Sequence, residues 1–255
     1  MISAKPWGPQ NVIRLFAGVI VTFCVGLMLA GLLQGLHSGP ASDQLEFAQT
    51  VIVVLLFQGA ALVWIGIFLR QSNTSWREAF GLQSVSPVRA IAAGIGAGLV
   101  GLPFMWVLQW VSQTAMEALK LNPVAQAAVT ELQNSHLSVL ETVIFGILTI
   151  LLAPIAEETL FRGILYPTIK QIGRPRLALW GTSALFGIIH FNLATLVPLI
   201  FLAVGLAMLY EYTESLLTPI AAHSIFNAVN FFYVIFSDPI DHTLHDLFHL
   251  HFHIQ

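Results

Sequence analysis

The chain has 255 residues, of which 56% are hydrophobic and 9% are charged, and its formal net charge is −3. This composition, with a mean hydropathy of +0.80, predicts an integral membrane protein rather than a soluble domain. The small net charge and the lack of a basic run argue against nucleic-acid binding. The single cysteine, Cys24, excludes a disulfide framework and a cysteine-based metal site.

Seven stretches are apolar enough to cross a bilayer, given that a span needs about 20 apolar residues. They are residues 15–36, 47–69, 89–112, 138–168, 177–193, 195–211 and 217–237. We therefore predict an all-α fold, a polytopic bundle of about seven to eight transmembrane helices. We expect one transmembrane domain over residues 1–255, with a catalytic core at about 138–237 and a histidine-rich tail at 238–255.

Basic residues at the ends of these stretches predict the orientation of the chain in the membrane. Cytoplasmic ends carry an excess of Lys and Arg. The residues that share one predicted side are Lys5, Arg14, Arg70, Arg77, Arg89, Lys170, Arg174 and Arg176. The opposite side carries only Lys120, so we expect a cytoplasmic N-terminus. The connection near Glu211 and Glu214 should also be cytoplasmic, although it contains no basic residue.

Three further patterns indicate packing or surface features rather than chemistry. Small residues recur at four-residue spacing from Ala93 through Gly94, Ala97 and Gly98 to Gly101, a pattern that lets helix backbones approach closely. Residues 113–137 are typical of an external loop with short surface helices. The tail contains five irregularly spaced histidines between residues 242 and 253, which could bind transition metals adventitiously.

Three charges interrupt the fourth apolar stretch, at Glu157, Glu158 and Arg162. Ionisable groups inside a membrane usually face a polar interior, although a helix end in the headgroup region would also accommodate them. Glu158 and Arg162 are four residues apart and can pair on one helix face. Glu157 points about 100 degrees away, so it is free within its own helix and is a candidate general base.

Two later stretches each contain a histidine with a partner four residues away. Phe186 precedes His190, and His223 precedes Asn227. One interpretation of each histidine is a hydrogen bond between helices. However, these are the two histidines that fall inside predicted spans, and they accompany the intramembrane carboxylate pair, which favours a shared polar site.

Such a site could hydrolyse a bond in two ways. In one, Glu157, His190 and His223 bind Zn²⁺ or another divalent metal that lowers the pKa of its water. In the other, Glu157 and His190 polarise water directly while His223 and Asn227 donate hydrogen bonds to the oxyanion. The residues do not choose between these alternatives. The sequence contains no HExxH or GxSxG motif.

The ordered motifs EExxxR (Glu157, Glu158, Arg162), FxxxH (Phe186, His190) and HxxxN (His223, Asn227) resemble the CPBP family, which contains CAAX prenyl endopeptidases and bacteriocin-processing membrane proteins. The resemblance implies an intramembrane endopeptidase in which Glu157 activates water with His190 as its partner. Glu158 would be tied to Arg162, and His223 with Asn227 would complete the site.

The resemblance also implies the surroundings in which the chain acts. We expect membrane lipids and a membrane-associated peptide or protein substrate, prenylated in some members, as its partners. The expected location is a bacterial inner (plasma) membrane. Two other classes stay open from the residues alone: a proton-coupled transporter, because buried Glu and His also form proton relays, and a non-catalytic scaffold of the immunity type.

Overall fold

The computed structural model describes residues 4–36, 43–121 and 137–252, and the side chains of residues 237–252 are outside this description. Every regular element within these ranges is helical. The α-helices are α1 Pro9–Leu36, α2 Asp43–Val54, α3 Ala60–Gln71, α4 Trp76–Phe80, α5 Pro87–Ala118, α6 Val139–Ile147, α7 Ala153–Glu158, α8 Tyr166–Gln171, α9 Pro175–Ile188, α10 Leu193–Thr213 and α11 Leu217–Phe252. The fold class is therefore confirmed as an all-α bundle.

Six helices in the described ranges are long and apolar enough to cross a membrane. They are Pro9–Leu36, Gln44–Gln71, Pro87–Ala118, Val139–Gln171, Leu193–Thr213 and Leu217–Phe236. All six coincide with predicted stretches. The third is longer than predicted, because α5 continues to Ala118 through residues assigned to an external loop. Residues 122–136 of that loop, and the side chains of the histidine-rich tail, lie outside the described residues.

The fifth predicted span, residues 177–193, is shorter in the structure. Helix α9 has 14 residues and ends at Ile188, so at 1.5 Å per residue it is about 21 Å long, less than the hydrocarbon thickness of about 30 Å. Phe191 follows with a positive φ of 48°. The Asn192 side chain then accepts a hydrogen bond from the Thr195 amide at 3.0 Å and begins α10. This turn places His190 just beyond a helix end.

Within the described ranges, three π-helical turns interrupt the membrane-spanning helices, at Leu55–Gly59, Leu148–Leu152 and Thr159–Leu165. A π-helical turn inserts an extra residue into the helix and rotates the side chains that follow, and such turns are frequent at functional sites. The first turn contains Gln58 and the third contains Arg162. The helices therefore deviate from regular geometry at positions that carry polar side chains.

The predicted cytoplasmic ends meet at one end of the bundle. The Lys5 amide donates to Gln171 Oε1 at 2.9 Å, and Trp7 Nε1 donates to Thr168 Oγ1 at 3.0 Å. Burial lowers the pKa of the Lys5 ammonium to about 8. Glu211 accepts hydrogen bonds from Lys170 and Tyr166. Lys170 of α8 thus pairs with Glu211 in the connection that has no basic residue of its own. The cytoplasmic location of this connection stays a prediction.

Helix α5 packs closely against α11 through two of the predicted small residues. A methyl group on Gly94 would lie 2.3 Å from the Thr218 carbonyl oxygen, and one on Gly98 would lie 2.8 Å from that of Ala222. Both distances are shorter than van der Waals contact. The packing role is confirmed for this pair, whereas Gly101 meets no atom within 4 Å. This contact fixes the helix that carries His223 and Asn227.

We predict that Gly94→Ala destabilises the protein by about 1–3 kcal/mol, because the added methyl group meets backbone that cannot rotate away. Gly96→Ala is the matched control, since a Cβ at Gly96 meets nothing within 4 Å. Because Ala has a higher helix propensity than Gly, the Gly96→Ala variant should be at least as stable as the wild type. Thermal unfolding of the detergent-purified variants measures both. Equal melting temperatures for the two variants would contradict the close approach of α5 and α11.

Candidate functional site

A buried chain of charged groups forms the centre of the candidate site. Arg162 Nη1 donates to Glu158 Oε1 at 2.8 Å, and His223 Nδ1 contacts the same oxygen at 2.9 Å. Arg162 Nη2 also donates to the Ala203 carbonyl at 3.1 Å. Glu158 is fully buried, and Arg162 and His223 are 2% and 3% exposed. The predicted pairing of Glu158 with Arg162 is confirmed, and His223 joins it from α11.

The hydrogen bond to Glu158 fixes which ring nitrogen of His223 carries the donated hydrogen. Because a carboxylate oxygen only accepts hydrogen bonds, His223 Nδ1 is the donor in this pair. The other ring nitrogen, Nε2, lies 4.0 Å from Glu157 Oε2. That separation is too long for a direct hydrogen bond, but one water can contact both atoms at about 2.8 Å each. His223 therefore joins the buried pair to Glu157.

Glu157 differs from its neighbour in both exposure and partners. It is 9% exposed, whereas Glu158 is fully buried. Gln58, in the π-helical turn of the second span, donates a hydrogen bond from Nε2 to Glu157 Oε1, and the two atoms are 3.4 Å apart. Glu157 Oε2 faces His223 instead. Glu158 Oε2 also has no hydrogen-bond partner, but it is fully buried, so Glu157 is the carboxylate that a reacting molecule can reach.

His190 lies beside the same aromatic ring as His223. Its Nδ1 is 2.6 Å from the Phe186 carbonyl oxygen, and because a carbonyl only accepts, Nδ1 carries the hydrogen and Nε2 has a free lone pair. The Phe186 ring centroid lies 4.8 Å from that of His190 and 5.8 Å from that of His223. The structure thus places both histidines around Phe186, and His190 bonds to that residue's backbone rather than to a glutamate.

Phe186 is fully buried and forms an apolar wall for the polar groups. The Arg162 guanidinium carbon lies 4.6 Å from its ring centroid, within the range of a cation–π interaction. Phe161 packs edge-on against it with centroids 5.3 Å apart. The predicted supporting role of Phe186 rests on these contacts, which keep water away from the Arg162 and Glu158 charges.

Asn227 has a partner that its spacing from His223 did not indicate. Its Nδ2 donates to the Thr149 carbonyl oxygen at 2.9 Å. Thr149 lies in the π-helical turn Leu148–Leu152, where the normal helical hydrogen-bonding pattern is displaced. Asn227 therefore joins α11 to the helix that carries the glutamates. Its second N–H remains available for another acceptor.

Two observations bear on a bound metal. Both histidines donate Nδ1–H to a carboxylate or a backbone carbonyl and present Nε2, an orientation that is common among metal-ligating histidines. However, no group of three or more His, Cys, Asp or Glu side chains within residues 4–36, 43–121 and 137–236 is placed to hold a metal ion. The metal site predicted at Glu157, His190 and His223 stays a prediction, and the mechanism proposed below contains no metal-dependent step.

Gln58 was not among the residues predicted for the site, although the sequence contains a signal for it. Apart from Trp64, Gln58 is the only side chain with a hydrogen-bonding group between Val51 and Leu69. An isolated amide in an apolar stretch calls for a buried partner. Its contact with Glu157 joins residues 99 positions apart in the chain, and this pairing depends on how the two helices pack.

Comparisons with known proteins cover the same part of the chain as the motifs. Residues 139–229 match the family model described as "Type II CAAX prenyl endopeptidase Rce1-like". The chain is also similar to the uncharacterized protein YpbD of Bacillus subtilis (strain 168), with 36% identity over 86 residues. These residues are 32% of this chain and 41% of YpbD. No solved structure matches the chain. The resemblance drawn from the three motifs is confirmed over this segment.

We predict that Arg162→Met destabilises the protein by about 3–5 kcal/mol, because Glu158 would remain buried without its cation. The double variant Arg162→Met, Glu158→Gln should recover part of that loss, since it removes the uncompensated charge. Arg176→Met, at an exposed position, is the control and should leave stability unchanged. Chemical denaturation in detergent measures all three. An Arg162→Met variant as stable as the wild type would refute the contribution of this buried ion pair to stability.

Proposed function

We propose that this chain, an integral membrane protein with an Rce1-like segment at residues 139–229, is an endopeptidase that hydrolyses a peptide bond inside the membrane. One observation carries the proposal. Glu157 Oε2 and His223 Nε2 face each other at 4.0 Å, beside a buried Arg162–Glu158 pair. This arrangement has a position for one water molecule between two hydrogen-bond acceptors.

The two acceptors would orient that water for attack. One of its hydrogens points to Glu157 Oε2 and the other to His223 Nε2, so that an oxygen lone pair faces the substrate carbonyl. Glu157 takes the proton as the water oxygen forms a bond to the carbonyl carbon. It then returns a proton to the leaving amine as the carbon–nitrogen bond breaks. Glu157 is therefore proposed as both general base and general acid.

The remaining site residues would position and stabilise the reacting groups. Glu158 holds the His223 ring through Nδ1, as a carboxylate orients the histidine in a catalytic triad. The free N–H of Asn227 is proposed to donate to the developing oxyanion. His190, with its Nε2 beside Phe186, is proposed as an acceptor for an N–H of the leaving amine. The catalytic residues proposed are Glu157, Glu158, His190, His223 and Asn227, with Arg162 and Phe186 in support.

The proposed substrate is a membrane-associated peptide or protein. The name of the matched family supports a prenylated cysteine near the cleaved bond, which we propose as the finer substrate class. Lipids surround the protein in either case. The proposed location is a bacterial inner membrane with the N-terminus in the cytoplasm, supported by the basic residues collected at one end of the bundle.

We predict that Glu157→Gln lowers the cleavage rate by 10²–10⁴-fold, because the amide cannot accept the proton of the attacking water. The assay uses proteoliposomes and membrane-tethered peptides with and without a farnesylated cysteine. The control is Glu117→Gln, an exposed residue near the end of α5, which should cleave like the wild type. Wild-type rates in the Glu157→Gln variant would refute the proposed mechanism, and equal cleavage of both peptides would refute the prenylated substrate.

The metal alternative makes a separate prediction. If Glu157, His190 and His223 bind Zn²⁺, elemental analysis of the purified chain should find one metal per protein, reduced in the His223→Ala variant. The protein should lack residues 238–255, because the histidines of the tail would bind metal independently. Full cleavage activity without stoichiometric metal would refute the metal-bound form and support direct activation of water by Glu157.

A further inference from the structure

Gln58 has an amide group of which only one end has a partner. Its Nε2 donates to Glu157 Oε1 at 3.4 Å. Its Oε1 is buried and has no hydrogen-bond partner. Buried polar atoms without a partner are uncommon in folded proteins, and each one calls for an explanation. At an active site, a bound substrate can provide the missing partner.

The contact with Glu157 fixes which end of the amide is unpartnered. A carboxylate oxygen accepts hydrogen bonds, so the NH₂ group of Gln58 faces Glu157 and the carbonyl oxygen points away from it. Rotating the amide by 180 degrees would bring two acceptors together. The unpartnered atom is therefore an acceptor, the carbonyl oxygen of the amide whose NH₂ group donates to Glu157.

The chemistry of a peptide substrate matches this acceptor. Each non-proline residue of a peptide presents one backbone N–H donor, and extended peptides bound to proteins are commonly held through their main-chain hydrogen bonds. The two hydrogens of the attacking water are already assigned to Glu157 and His223. A substrate N–H next to the cleaved bond is the donor that remains.

We propose that Gln58 is a substrate-binding residue whose amide oxygen accepts a hydrogen bond from a backbone N–H of the peptide, while its N–H group holds Glu157. This inference rests on the proposed endopeptidase function. Gln58 lies in the second span, outside residues 139–229 that match the family model. The site would then extend beyond the segment that carries the three motifs.

The test uses peptide substrates in which one backbone N–H at a time, on the residues flanking the cleaved bond but not in that bond itself, is replaced by an ester oxygen. In the wild type, the ester at one position should lower kcat/KM at least ten-fold, because it removes the donor for Gln58. In Gln58→Met, the unmodified peptide should be cleaved at least ten-fold more slowly, and the same ester should change kcat/KM less than two-fold. Gln58→Asn, which keeps an amide but shortens the side chain by one methylene, should also lose the ester effect.

Gln49→Met is the matched control, because Gln49 lies in α2 of the same span, nine residues before Gln58, and its Nε2 is also buried without a hydrogen-bond partner, whereas the contact with Glu157 is made by Gln58. It should keep the wild-type rate and the wild-type ester effect. Melting temperatures of all variants should lie within a few degrees of the wild type. A wild type that responds to no ester, or Gln58 variants that keep its full response, would overturn the inference.

The same assay separates this inference from the proposed function. Glu157→Gln is measured beside the Gln58 variants. If Glu157→Gln cleaves at the wild-type rate, the endopeptidase mechanism fails. If Glu157→Gln is inactive while the Gln58 variants behave like the wild type, only the role of Gln58 fails. A wild-type protein that cleaves none of the peptides overturns both.

Discussion

The interaction on which the site depends is the burial of the Glu158 carboxylate between a guanidinium and an imidazole. Moving a charged group from water into a protein interior carries an effective penalty of several kcal/mol, and an ion pair offsets it only with good geometry. Arg162 at 2.8 Å and His223 at 2.9 Å both contact Glu158 Oε1, while Oε2 is buried without a hydrogen-bond partner. Because His223 belongs to α11, the compensation of this charge also fixes the position of a second helix.

Glu157, the neighbouring carboxylate, has different surroundings. Glu157 and Glu158 have the same chemistry and adjacent positions, but one is 9% exposed and the other fully buried. The partner of Glu157 is a neutral amide, Gln58, whereas that of Glu158 is a guanidinium. The Oε1 atom of Glu158 contacts both Arg162 and His223, whereas Oε2 of Glu157 faces His223 Nε2 at 4.0 Å. The different surroundings of these two adjacent carboxylates thus follow from helix geometry, and they underlie the different roles proposed for them.

Contacts within one helix were predictable from sequence, and contacts between helices were not. The spacing of Glu158 and Arg162 predicts their pairing, since residues four apart share a helix face. The partners of Asn227 and His223, namely the Thr149 carbonyl and Glu158, depend on how α11 crosses the fourth span. The end of α9 before His190 was also missed, because the apolar run continues through a turn that only the backbone geometry shows.

The irregular turns of the helices explain why these contacts could form at all. Gln58, Thr149 and Arg162 each lie in a π-helical turn, where an extra residue changes the direction of the side chains or exposes a carbonyl group. A regular helix in lipid satisfies all its own backbone groups and offers none to a neighbour. The Thr149 carbonyl can accept from Asn227 because the Ala153 N–H bonds to the Leu148 carbonyl instead and Pro154 has no N–H to donate. Residues of these turns and of α11 therefore form the site through Gln58–Glu157, Asn227–Thr149 and the Arg162–Glu158–His223 contacts. The close approach of α11 to Gly94 and Gly98 fixes the position of α11.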